Sequence, residues 1–164
     1  SQTFLVEAWY AGLIMLTGIF LFSPISAAWA VVGTVFGTLL SAAASVDTNL
    51  IEAGLCGYNA CLCAIALGGF FWVQSGWKQS LLVCVGIIFS TVLTASTAAF
   101  LSPFGLPALT WPFTFATWIL ILVAQDVSGI VTVAVADLST PQTSLFVWLA
   151  HHTHCASRPW RPFR

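Results

Sequence analysis

Charge is what this sequence has least of. Only 5% of its 164 residues are Asp, Glu, Lys or Arg, against about 25% in an ordinary soluble domain. Four basic and five acidic side chains, with a formal net charge of −1, are too few to keep a water-facing surface of this size in solution. The shortage also removes nucleic acid as a partner, because no basic patch exists to neutralise phosphates. No P-loop and no dinucleotide-type glycine fingerprint is present. No His, Asp or Glu cluster falls inside the long apolar segments, so neither an enzyme nor a bound metal or other cofactor is expected. No charged region of a secretory signal precedes the first apolar stretch. The chain opens at Ser1 and its one methionine is Met15, which suggests a piece of a longer protein.

What is present is apolar bulk: 59% of the residues are hydrophobic. The charges stand at Glu7, Asp47, Glu52, Lys78, Asp126 and Asp137, followed by Arg158, Arg161 and Arg164. Between them lie uncharged runs at 8–46, 53–77 and 79–125. About 20 apolar residues make one spanning helix. Breaks at Ser23-Pro24 and across Ser102–Pro107 divide the runs into segments of roughly 8–22, 24–46, 50–73, 79–101 and 107–124. A membrane β-barrel would alternate apolar and polar residues over about ten positions. These runs are continuous, so the expectation is an all-α polytopic membrane protein. The first segment is short for a bilayer and either extends past Glu7 or comes after a re-entrant piece. After the fifth comes a tail with one short apolar stretch, Leu145–Ala150.

Gly33 and Gly37 have the spacing that brings membrane helices close, and ordinary packing inside one bundle accounts for them. Cys56, Cys61, Cys63 and Cys84 lie in apolar segments and read as small hydrophobes rather than disulfide partners. His151, His152, His154 and Cys155 have metal-ligating chemistry, but the plainer reading is a solvated or membrane-surface tail. Lys78 and the terminal arginines are separated by two crossings and share a side, which the positive-inside rule makes cytoplasmic.

Two stretches interrupt helix inside membrane-length runs. In Gly54-Leu55-Cys56-Gly57-Tyr58-Asn59 the glycines disfavour helix, and Asn59 is a candidate N-cap for a helix beginning there. Tyr58 and Leu62, four apart, share a helix face and either wall a slot or pack in the bundle. In Gly105-Leu106-Pro107-Ala108-Leu109-Thr110-Trp111-Pro112-Phe113, Pro112 lacks the N–H that would pair with the Ala108 carbonyl. Pro107 does the same to Pro103. The result is a row of unpaired carbonyls beside the Thr110 hydroxyl, or else a plain loop with proline at a helix start. Broken helices without intramembrane acids or bases suit passive movement of a small neutral solute.

These two stretches, with Leu62 after the first, resemble the paired signatures of the urea transporters. Gln2-Thr3-Phe4-Leu5-Val6-Glu7 resembles the tilted pore helix of that family, and Asp137-Leu138-Ser139-Thr140-Pro141 the segment after its last helix. The resemblance covers residues 2–142; Ala8-Trp9 departs from the family's usual Asn-Pro, and His151–Arg164 matches nothing in it. It implies one half, the second and of bacterial type, of an inverted-repeat channel that assembles as a homotrimer. Residues 1–10 would form the re-entrant pore helix, 11–125 five transmembrane helices, and 126–164 a C-terminal tail. The homologous N-terminal half would be missing from this chain. By the same resemblance, urea crosses the cell membrane through a carbonyl-lined slot, and small amides are possible companions. Gln2 would contact urea at a pore mouth, Tyr58 and Leu62 would wall the slot, the Ala108 carbonyl would be a rung, and Thr110 would lie near the constriction. The rival expectations are a half-length subunit that pairs in opposite orientations and a structural membrane protein without transport.

Overall fold

The structure is a computed structural model and describes residues 9–46, 51, 55–73, 76–127, 129–133 and 139–154. Among these, α1 (Trp9–Phe22) runs into α2 (Pro24–Ala43) through the single residue Ser23. Ser23 has extended backbone, and its hydroxyl accepts the Ser26 N–H at 3.1 Å. Pro24 starts α2 where its missing N–H costs nothing. At about 1.5 Å per residue, the 20 residues of α2 rise about 30 Å, the thickness of a bilayer core. The next helix is compound: α3 (Tyr58–Ile65) passes directly into a π-helical turn, Ala66–Phe71. The long α4 (Trp77–Leu101) ends in a 3₁₀ turn, Ser102–Phe104. After a loop come α5 (Trp111–Ala124) and α6 (Pro141–His154).

Small residues decide how closely these helices approach. A Cβ on Gly33 would lie 2.7 Å from the Ala64 Cβ and 2.8 Å from the Ala60 carbonyl oxygen, and one on Gly37 would lie 2.6 Å from the Ala60 Cβ. The Gly33/Gly37 pair therefore joins α2 to α3 within one chain, as the bundle-packing reading expects. On α4, a Cβ at Gly86 would come within 2.8 Å of both Leu67 and Leu120. The core forms there: Ala60, Cys63, Ala64 and Leu67 meet Val83, Ile87, Ala116 and Leu120. Burial of this set is the main force holding α3, α4 and α5 together. The outer faces are apolar too, with Leu21 80% and Phe100 72% exposed, so the bundle presents hydrocarbon-compatible surface rather than a wetted one.

The extended segment after the π turn pairs with a later loop. Val73 donates to the Val131 carbonyl at 2.9 Å and Val133 to that of Phe71 at 2.8 Å, an antiparallel link around Trp72 and Thr132. It closes the end of the bundle beside exposed Lys78.

Three sequence expectations change in detail. In the third segment α3 begins at Tyr58, after the turn at residues 55–57, with Gly57 in the N-cap position. Asn59 is not the cap; it sits inside the helix, fully buried. The fifth helix begins at Trp111, so Pro107 and Ala108 lie in the loop ahead of it. Pro112 is the second helical residue, where its N–H would have been unpaired anyway. The stretch read as tail contains α6, whose backbone runs to His154. The pore-helix residues 1–8 and Cys155 lie outside the described residues.

Candidate functional site

The two interrupted stretches, about fifty residues apart, meet in space. The 3₁₀ turn after α4 ends at Gly105, whose left-handed backbone (φ 66°) reverses the chain. Gly105 donates to the Ser102 carbonyl at 3.0 Å and Leu106 to that of Leu101 at 3.4 Å, closing the helix end as a glycine C-cap does. The loop then passes through Pro107 and Ala108 to Leu109, which also lies in the left-handed region, at φ 47°. A branched side chain seldom adopts that conformation. Leu109 holds it with its side chain exposed and its carbonyl turned inward toward α3.

Two donors from the first turn of α3 take that carbonyl. The Asn59 amide donates to it at 3.1 Å, and the Tyr58 hydroxyl donates to the same oxygen. Asn59 is fully buried and Tyr58 nearly so, while Leu109 is exposed, so both bonds are partly shielded from solvent. The other end of the Asn59 amide, Oδ1, is buried without a donor among the described residues. Thr110 caps α5 by its backbone: its carbonyl accepts the Thr114 N–H at 3.3 Å and the Thr114 hydroxyl at 3.1 Å. The Thr110 side chain makes no capping bond and the residue is exposed. Ala108 is half-buried beside it. Leu62 is half-buried one turn along α3 from Tyr58.

Of the residues singled out from sequence, Tyr58 is thus joined to the loop that carries Ala108 and Thr110. Leu62 comes next on the helix that positions Tyr58, and Gln2 lies outside the described residues. Asn59 and Leu109 were missed in these roles. A buried amide in an apolar helix was the available signal for Asn59, since such a group needs a partner. No signal in the sequence marks a leucine for the left-handed region. One turn further along α5 a cavity of about 480 Å³ opens between Phe71, Phe113, Thr117, Trp118 and Ile121. It is mainly apolar, and its Thr117 hydroxyl is directed to the Cys63 sulfur at 3.8 Å.

A family model described as urea transporter matches residues 1–125, which includes both interrupted stretches. The chain belongs to the urea transporter family. It is 31% identical over 140 residues to urea transporter 1 of Ovis aries, covering 85% of this chain and 36% of that protein. The match to urea transporter 1 of Capra hircus has the same extent. Urea transporter 1 of Rattus norvegicus is 25% identical over 150 residues, 92% of this chain and 39% of that protein. The chain therefore spans well under half the length of the curated relatives it matches. Proteins of this family are integral membrane transporters rather than enzymes, and the apolar outer faces of this chain's helices suit a bilayer.

Proposed function

We propose that this chain forms one half of a pore through which urea moves passively across a membrane. The single observation that carries the reading is the meeting of the two signature stretches at the Leu109 carbonyl, within a chain of the urea transporter family. Urea is neutral, flat and rich in N–H donors. Stripping such an amide of water without replacement bonds costs roughly 2–7 kcal/mol, so its path has to offer acceptors. The Ala108 carbonyl and the Thr110 hydroxyl are the acceptors beside the clamped turn. The Tyr58 ring and Leu62 supply apolar walls against which a planar solute lies, and Gln2 contacts urea at the mouth. Small amides share the same donors and are secondary substrates.

The rest of the wall comes from a homologous half in inverted orientation, the present stretch being the second and of bacterial type. Three such protomers, each with its own pore, make a trimer in the cell membrane with the C-terminus cytoplasmic. The exposure of Thr110, Leu109 and Trp111 supports a further wall on this side. Stopped-flow urea permeability of proteoliposomes tests the reading with the complete protein, with Thr110→Val and with these 164 residues alone. The expected result is rapid, saturable flux for the complete protein and none for the lone stretch. Flux equal to that of empty vesicles would overturn the functional reading. Conduction by the lone stretch would favour two copies paired in opposite orientations.

A further inference from the structure

The left-handed turn at Leu109 poses a physical question that permeation by itself does not answer. A leucine pays for φ 47° in conformational energy, and glycine, which would not, is the usual residue there. What keeps the turn in place is on the neighbouring helix. The Asn59 amide and the Tyr58 hydroxyl both donate to the Leu109 carbonyl. The two donors stand on consecutive residues of α3, which Gly33 and Gly37 let pack backbone-close to α2. The clamp is therefore anchored in a rigid pair of helices, while the turn it holds is in a loop. Asn59 keeps Oδ1 buried and without a partner among the described residues to make this bond. A leucine at that place would pack without such a cost, so stability alone is a poor reason for the amide.

We propose that Asn59 and the Tyr58 hydroxyl are positioning residues for permeation: by clamping the Leu109 carbonyl they hold the left-handed turn that aims the Ala108 carbonyl and the Thr110 hydroxyl at the solute. This rests on the reading that the Ala108–Thr110 stretch lines the path. Neither residue needs to touch urea through its polar group. Releasing the carbonyl lets Leu109 return to an ordinary backbone conformation, which rotates the peptide planes on both sides of it. The acceptors are then still present but wrongly directed, which weakens flux and discrimination together.

The test uses the complete protein in proteoliposomes, with stopped-flow permeabilities for urea, formamide and thiourea per reconstituted molecule. The variants are Tyr58→Phe, Asn59→Leu, and each combined with Leu109→Gly. Tyr58→Phe and Asn59→Leu should each lower urea permeability about tenfold, as loss of a part-buried hydrogen bond predicts, and narrow the preference among the three solutes. Leu109→Gly should return a substantial part of that loss, because glycine holds a positive φ without the clamp. Wild-type permeability and selectivity in both single variants, with the parent active, would overturn the clamp and leave the permeation reading standing. Loss of flux that tracks a lowered melting temperature and is not relieved by Leu109→Gly would also overturn it, showing a purely structural role. A silent parent protein would overturn both.

Discussion

Thr110 is the residue whose chemistry can be removed with least disturbance to shape. Its side chain makes no bond at the head of α5, so Thr110→Val deletes an exposed hydroxyl without orphaning a partner. Urea permeability should fall about tenfold in stopped-flow assays while the melting temperature stays within a degree or two, since an exposed change of this kind costs little stability. At this scale the sequence was partly legible. The prolines marked a break near the head of the fifth helix, because a missing N–H is a local property, but not its register: the helix starts at Trp111 rather than at Pro107, and Pro112 lies inside its first turn. The partner of the Leu109 carbonyl was not legible, because it depends on which residues fifty positions earlier are brought alongside. Asn59 looked like a cap for the same reason: asparagine caps helices locally, and only the tertiary contact shows that its amide is committed elsewhere.

Among the elements, the contact between α2 and α3 makes the sharpest stability prediction. Gly33→Ala places a methyl 2.7–2.9 Å from Ala64, Ala60 and Cys61, two of these contacts being with backbone that cannot yield. Overpacking of this sort costs about 1–3 kcal/mol, read as a lowered thermal or denaturant midpoint. Gly18→Ala, on an exposed face of α1 with nothing within 4 Å, should instead leave stability unchanged or raise it by up to about 1 kcal/mol. The two substitutions are chemically identical, so opposite outcomes isolate packing. The helices themselves were readable as uncharged runs bounded by proline, glycine and charge. The π turn at Ala66–Phe71 was not, because Gly68 and Gly69 there lie against Trp29 and Ser26, contacts no local pattern announces. Nor was α6, in which only Leu145–Ala150 is continuously apolar, with polar residues on either side.

For the whole molecule, scarcity of charge has a functional meaning beyond bilayer immersion. With no carboxylate, lysine or histidine within the runs 8–46, 53–77 and 79–125, helices α1–α5 offer no side-chain relay for a coupled proton or ion. Urea flux should therefore be independent of sodium and proton gradients and flat from about pH 5 to pH 8, the range in which histidine would titrate. A flux that accumulates urea against its gradient would contradict this. The most direct test of the central claim is the stopped-flow urea permeability of the complete protein in proteoliposomes, compared with empty vesicles and with Thr110→Val. Fast, passive flux that falls when the hydroxyl is removed is the predicted result. Permeability no greater than that of bare lipid, or unchanged by Thr110→Val, would contradict the account.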